Sequence, residues 1–241
     1  MSDNLRQGIK LYQSRKYSDA LAFFLALPPD STDNIDLAYF IGLCYARLNK
    51  YDEALLYLEQ VVTNGTDYDR IKQCRLSLAV IYSLTNRSKM AEFELSKLQE
   101  DGINNEQVQC AKGYVAWYRN EIEKSIACYE KVLDKNPENT TALNGLGYIL
   151  ASTGKDLTKA LFLCKKAVDA NPESSAYLDS LGWVYFKLGL LKEAKTFVKR
   201  ALEKNPDNEE IKSHYQEILS TKPNACVYDI YGKNVYASDC E

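Results

Sequence analysis

Apolar side chains recur every three or four residues along most of this chain, as they do on one face of an amphipathic helix. Leu178, Leu181 and Tyr185 are spaced in this way, and Val198 continues the pattern in the next segment. Short turns such as residues 48–51 and 188–190 leave only a few residues in which the chain can reverse direction. The pattern therefore predicts antiparallel helical hairpins joined by tight turns.

Small residues mark a regular period in this helical pattern. A first series, with separations of 34, 37, 34, 34 and 35 residues, consists of Gly8, Gly42, Ala79, Gly113, Gly147 and Gly182. A second series, with separations of 34, 37, 34, 35 and 34 residues, consists of Ala20, Ala54, Ala91, Ser125, Ala160 and Ala194. A fixed period of this length is typical of repeat proteins built from one supersecondary unit.

The glycines need a packing reason, because glycine inside a helix costs about 1 kcal/mol relative to alanine. If the first series lies on the first helix of each unit (helix A) and the second series on the second helix (helix B), both helices lack bulk where they meet. The two backbones can then approach closely. We therefore expect each unit to be a tightly crossed helical pair.

Helix ends follow the same period. Asn136-Pro137, Asn171-Pro172 and Asn205-Pro206 each follow a predicted helix B, and a residue before proline is pushed away from helical angles. Units are predicted to begin near residues 1, 35, 72, 106, 140 and 175, so that six units fill residues 1–206. Residues 207–220 read as a capping helix with Ile211, Tyr215, Ile218 and Leu219 on its inner side, and residues 221–241 as an extended or flexible tail.

The repeat resembles the tetratricopeptide repeat. The resemblance is carried in the last unit by Leu178, Leu181, Gly182, Tyr185, Ala194, Ala201 and Pro206. It covers residues 1–206 and implies an all-α fold, a right-handed α-solenoid of about six helix-turn-helix repeats closed by the C-terminal helix. The third unit departs from the pattern with Ala79 in place of glycine, and the fifth carries one extra residue in its turn.

In tetratricopeptide repeat proteins, one stripe of helix A, at unit positions 2, 5, 9, 12 and 13, commonly receives an extended peptide or a partner helix. We call these positions the helix A stripe. In the second half of the chain, the resemblance makes the following stripe residues candidates for a peptide-binding groove: Tyr114, Trp117, Tyr118, Asn144, Tyr148, Asp179, Trp183 and Phe186.

The chemistry of these residues suits recognition of a peptide. Aromatic rings bury much area at small entropic cost, and the Asn144 amide can bond both the donor and the acceptor of a peptide backbone. The alternative is that the aromatic rings pack against a neighbouring helix A.

The first units read differently. Their stripe, with Leu5, Ile9 and Tyr12 followed by Tyr39 and Leu43, is apolar enough to hold a hydrophobic segment or a second copy. Chaperone adaptors of the family grip a terminal carboxylate with a basic clamp. The equivalent positions here, which include Phe40 and Gln73, cannot neutralise a carboxylate.

Composition and charge narrow the functional classes. A formal net charge of −3 argues against nucleic acid as a partner. No apolar run is long enough to span a membrane, and the start lacks a secretory signal, so we expect a cytoplasmic protein, or a periplasmic one if a signal peptide has been removed. Seven scattered cysteines and one histidine, His214, which we interpret as a solvated or packing residue, provide no metal site, catalytic group or cofactor cradle.

The sequence thus predicts a non-catalytic module or adaptor that binds a partner peptide or helix in a concave groove. The alternative is a structural protein that self-associates, through its first repeat or because its groove receives its own tail or another copy. For the tail three interpretations stay open: a hairpin turning at residues 232–234, a flexible end, or a segment docked in a groove. Cys226 and Cys240 could be bridged only in an oxidising compartment.

Overall fold

The computed structural model describes residues 5–28 and 34–221, and the predictions about the tail and its two cysteines lie outside these residues. The described residues form thirteen α-helices and no strand. Their bounds are α1 Arg6–Gln13, α2 Tyr17–Leu25, α3 Asn34–Arg47, α4 Tyr51–Asn64, α5 Tyr68–Leu84, α6 Ser88–Glu100, α7 Glu106–Tyr118, α8 Ile122–Leu133, α9 Thr140–Thr153, α10 Leu157–Ala170, α11 Ser175–Lys187, α12 Leu191–Lys204 and α13 Glu209–Ser220. The predicted all-α class is confirmed.

The chain divides into two compact units, at Lys135 and Asn136. The first contains four helical hairpins, from α1–α2 to α7–α8, and the second contains the hairpins α9–α10 and α11–α12 followed by α13. In each hairpin the odd-numbered helix is helix A and the even-numbered helix is helix B. The third helix A, α5, begins at Tyr68 and is longer than its neighbours at 17 residues.

The two series of small residues lie where the paired helices cross. All six residues of the helix B series have no exposed surface. A Cβ added to Gly182 would lie 2.5 Å from Val198 Cγ2 and 3.1 Å from the Ala194 carbonyl oxygen. In the fourth hairpin, where serine replaces alanine, the Ser125 hydroxyl donates a hydrogen bond of 2.6 Å to the Gly113 carbonyl oxygen. The expected close crossing is therefore present, and at Gly182 it leaves no room for a side chain, which would meet both Val198 and the backbone of helix B.

Every turn from helix A to helix B contains one residue with positive φ. These residues are Arg15, Asn49, Asn86, Asn120, Gly154 and Gly189, with φ between 58° and 78°. The residue that follows donates its backbone N–H to a carbonyl five residues earlier, as Leu190 does to Tyr185 at 2.9 Å. This bond completes a Schellman motif, which ends a helix and reverses the chain within a few residues.

The closing helix α13 buries Ile211 and Ile218 as predicted, but the prediction for Leu219 is wrong. Leu219 is 51% exposed, whereas His214 is only 7% exposed. Ile211, His214 and Ile218 are spaced by three and four residues, so they form one helical face. Leu219, next to Ile218 in sequence, points away from that face.

We predict that Gly182→Ala destabilises the last hairpin. Overpacking at a close crossing costs about 1–3 kcal/mol and exceeds the gain of about 1 kcal/mol in helix propensity. The midpoint of urea denaturation should fall, and Thr196→Ala on the exposed side of α12 should leave it nearly unchanged. A midpoint for Gly182→Ala equal to or above that of the wild type would contradict the close crossing.

We predict the opposite effect for Arg15→Gly, because Arg15 is the one αL turn residue here that is neither glycine nor asparagine. Its φ of 61° is strained for a side chain with a Cβ, and relief should outweigh the added chain entropy by about 0.5–1 kcal/mol. Amide exchange in α1 and α2 should slow by about twofold to fivefold. The matched change Gly189→Ala should act in the reverse direction in α11 and α12, and faster exchange in Arg15→Gly would refute the assignment of strain.

Candidate functional site

Three of the predicted groove residues lie in the first unit, on α7. Tyr114, Trp117 and Tyr118 are all partly exposed. The rings of Tyr114 and Tyr118 have centroids 4.8 Å apart, and the Tyr114 hydroxyl donates to the Tyr118 hydroxyl at 3.3 Å. Residues four apart lie on the same side of a helix. The two tyrosines therefore form an aromatic patch with polar edges.

The other five lie in the second unit, on α9 and α11. Among them Asp179 and Trp183 are buried, with 5% and 7% of their surface exposed, whereas Asn144, Tyr148 and Phe186 are partly exposed. The stripe in this unit therefore has a buried part on α11 and a more accessible part around it.

Trp183 is held by neighbours on three sides. Its indole N–H donates to the Ser152 hydroxyl at 3.0 Å, so the edge of the ring is tied to α9. Its ring stacks on the imidazole of His214 with centroids 4.1 Å apart and planes 21° apart. The Lys187 ammonium lies 4.3 Å from the ring centroid, within cation–π range. Trp183 thus packs against its helical neighbours, as the alternative interpretation of the aromatic stripe describes.

Asp179 is paired with His214 from the closing helix. Nδ1 of His214 lies 2.9 Å and 3.1 Å from the two carboxylate oxygens of Asp179. Both side chains are more than nine-tenths buried. A buried carboxylate is tolerated when it is paired in this way, so Asp179 is engaged inside the protein.

Tyr148 makes the third link to the closing helix. Its hydroxyl donates to a carboxylate oxygen of Glu210 at 3.0 Å, and its ring centroid lies 6.1 Å from that of His214. Tyr148 belongs to α9 and Glu210 to α13, so this bond reaches past α11.

The charged neighbours shift the pKa of His214. Burial by itself would lower the pKa, but the hydrogen bond to Asp179 and the negative charges of Asp179, Glu210 and Glu217 raise it above its ordinary value. The pKa of Glu210 is also raised, chiefly because neighbouring protein atoms displace water from around its carboxylate. The Glu210 side chain still keeps contact with solvent.

Asn144 differs from the other stripe residues because its Oδ1 is buried and accepts no hydrogen bond from any described residue. A buried amide oxygen without a donor costs about 1–3 kcal/mol. A donor supplied by a ligand would recover this energy once the amide turns toward it.

The stripe of the first two repeats is less open than the sequence suggested. Leu5 has no exposed surface, and Ile9 and Tyr39 are 9% and 8% exposed. The prediction that these side chains form an apolar docking surface is wrong for these three residues, because they pack into the core of the first unit.

The cysteines of the described repeats are mostly buried. Burial raises the pKa of the thiols of Cys44, Cys74, Cys110 and Cys164 to about 12, so they remain protonated at neutral pH. Among residues 5–28 and 34–221, no three His, Cys, Asp or Glu side chains are grouped so that they could hold a metal ion. Within the same ranges, no helix has the length and apolar character needed to cross a membrane.

Sequence reasoning missed the roles of His214 and Glu210. A signal was present, since His214 lies one repeat length, 35 residues, after Asp179. Residues one period apart occupy similar places on successive helices and can meet when those helices pack side by side.

Comparisons with known proteins agree with this architecture. Tetratricopeptide repeat family models match residues 35–64, 110–175 and 154–218. No curated protein matches the chain significantly by sequence.

Solved structures show the same fold. A tetratricopeptide repeat protein from Parabacteroides merdae is similar with a TM-score of 0.70 and 15% identity, over 90% of this chain and 83% of that one. The APC/C hetero-tetramer Cut9-Hcn1 is similar with a TM-score of 0.64 and 15% identity, over 90% of this chain and 42% of that one. At these identities the likeness concerns the fold alone.

We predict that Ser152→Ala weakens the second unit by about 1 kcal/mol, because the buried indole N–H of Trp183 loses its acceptor. Urea unfolding followed by Trp183 fluorescence, in a Trp117→Phe background, measures this change. Thr196→Ala is the matched control in the same unit, since the Thr196 hydroxyl is exposed and donates to the Lys192 carbonyl of its own helix. Equal midpoints for Ser152→Ala and the control would contradict the role given to Ser152.

Proposed function

The chain belongs to the tetratricopeptide repeat family, and we propose that it is a non-catalytic interaction module that binds an extended peptide or a partner helix on its helix A stripe. Helical repeats of this kind generally act as scaffolds, and their binding surfaces are extended rather than enclosed. The proposal therefore rests on the accessible side chains of the stripe and on their bonding capacity.

The unpaired Oδ1 of Asn144 is the observation that carries the proposal. Natural proteins leave few buried polar atoms without a partner, and the exceptions call for a reason such as a functional role. An amide in the middle of a stripe can accept an N–H from a bound backbone and donate to its carbonyl. Because the Asn144 side chain is partly exposed while its Oδ1 is buried, rotation of the amide is the step that would bring this oxygen to a bound backbone.

The side chains around Asn144 supply apolar contact area. Tyr148 and Phe186 are partly exposed, and the exposed Lys187 lies 5.4 Å from the Phe186 ring centroid. Trp183 lies beneath them, with its ring centroid 5.2 Å from that of Phe186. In this arrangement Trp183 supports the surface residues, and Tyr148, Phe186 and Lys187 are the ones that meet a ligand.

Self-association, the second function predicted from the sequence, stays a prediction. Of the tail that this prediction involves, residues 222–241 lie outside the described residues.

Binding to a defined peptide tests the proposed function. Peptides are selected with the wild-type protein from a phage-displayed random dodecapeptide library, synthesised, and titrated calorimetrically. Asn144→Ala should raise the dissociation constant about threefold to tenfold, which corresponds to the loss of one hydrogen bond. Asn144 is a sharper choice than Trp183, whose truncation would open a cavity beneath the surface.

Phe162→Ala is the matched control, because Phe162 on α10 is 65% exposed and lies outside the stripe. It should leave the affinity unchanged, while circular dichroism shows that both variants fold. Selection of no peptide, or peptides that bind Asn144→Ala as tightly as wild type, would overturn the proposed site.

A further inference from the structure

The closing helix α13 covers the α11 part of the helix A stripe. His214 stacks on Trp183 and pairs with Asp179. Glu210 accepts a hydrogen bond from the Tyr148 hydroxyl. Asp179 and Trp183 are consequently buried although they occupy stripe positions. A ligand can reach these two residues only if α13 moves.

The contact between α13 and α11 includes a buried ionisable pair, His214 and Asp179. Nδ1 of His214 reaches both oxygens of Asp179, at 3.1 Å and 2.9 Å, and the side chains are 9% and 8% exposed. A charged pair in such a place attracts more strongly than it would in water. If the imidazole is neutral, the carboxylate keeps a hydrogen bond but loses its counter-charge, and a buried charge without a counter-charge is unfavourable.

Stacking adds a second dependence on the same charge. The Trp183 ring lies parallel to the imidazole at 4.1 Å. A cation over the face of an indole is attracted by the ring quadrupole, and a neutral imidazole lacks this attraction. Both contacts that hold His214 therefore strengthen when it is protonated.

We propose that α13 is a proton-gated cover of the helix A stripe, closed over Asp179 and Trp183 while His214 is doubly protonated and loosened when its imidazole is neutral. The inference goes beyond peptide binding, because it concerns the protein without a ligand.

The groups that face His214 come from three helices. Asp179 lies on α11, Tyr148 on α9, and Glu210 and Glu217 on α13 itself. Lys187 of α11 lies over Trp183, 4.3 Å from its ring centroid. Negative charge thus predominates around the imidazole.

The direction of the pH dependence follows from the raised pKa of His214. A group whose pKa is higher in the closed state than in the released state stabilises the closed state fully below the released-state pKa, which is about 6.5 for histidine. This stabilisation is lost as the pH rises through the higher pKa of the closed state. Alkaline pH therefore loosens α13, and mildly acidic pH tightens it.

The pKa of His214 is the first measurement, and it is unambiguous because the chain has a single histidine. NMR titration of the imidazole in the full chain should give a midpoint above about 6.5. Asp179→Asn should lower that midpoint, and Glu210→Gln should lower it less, since Glu210 acts on His214 without a direct hydrogen bond in the structure. A wild-type midpoint at or below 6.5 would refute the proposal.

Hydrogen exchange of α13 is the second measurement. With intrinsic rates divided out, protection of the α13 amides should fall between pH 6 and pH 9, by about tenfold for each unit by which the NMR midpoint exceeds 6.5. Protection in α10 should stay constant and serves as the internal control. Glu210→Gln, a change on an exposed side chain, should show a smaller fall, which keeps the test valid if Asp179→Asn fails to fold.

Equal protection of α13 across this pH range in the wild type would overturn the gating even if the midpoint were raised. A parallel fall in α10 would do the same, because it would indicate loosening of the whole unit. Neither measurement uses a peptide, so these outcomes are independent of the proposed function.

Discussion

The close crossing of helix A and helix B within each hairpin is the constraint on which the structure depends. Glycine on helix A and a small residue on helix B remove the side chains that would hold the two backbones apart, and larger apolar residues such as Val198 fill the space around the contact. A Cβ at Gly147 or Gly182 would crowd the backbone of helix B, and at Gly8, Gly42 or Gly113 it would collide with side chains of helix B, so this position limits how the two helices can pack. The Schellman turns complement it, because each reverses the chain within a few residues and leads directly from helix A to helix B.

The same constraint decides which surface is left for function. Within each unit, one side of a helix A packs against its own helix B and another against a neighbouring helix of the same unit, so that a stripe along helix A remains. In the second unit this stripe contains one buried amide oxygen without a donor, partly exposed aromatic rings, and a region occupied by α13. The proposed binding and the proposed gating thus concern adjacent parts of one surface.

Sequence alone was sufficient for the features that repeat. These features are the helical pairs, the small residues at the crossing and the Asn-Pro ends. Each occurs several times at the same position of the repeat, and chance rarely produces a pattern that recurs in this way. Gly182 and Ala194 are examples: neither is informative by itself, but six such pairs define the crossing.

Features that occur once were beyond this reasoning. Whether Trp183 faces solvent or a neighbour depends on the next helix, and α13 is an incomplete repeat whose register no second helix confirms. For this reason Leu219 was wrongly predicted to lie on the inner side, and the buried position of His214 could not be distinguished from a solvated one. In the first repeat, the apolar side chains of Leu5 and Ile9 suit a docking surface and a core position equally well. Only the packing of the folded chain shows that they belong to the core.

We propose that the helix A stripe of the second unit is the binding surface of this protein. Backbone and side-chain NMR shifts of the full chain, recorded while a peptide selected by the wild-type protein is added, test it most directly. We expect the signals of the Asn144 amide and of the Tyr148 and Phe186 rings to shift along a binding curve whose dissociation constant equals the calorimetric one, while the Phe162 signals stay unperturbed. Saturable shifts confined to Phe162 and the outer faces of the B helices, with Asn144 unchanged, would contradict it.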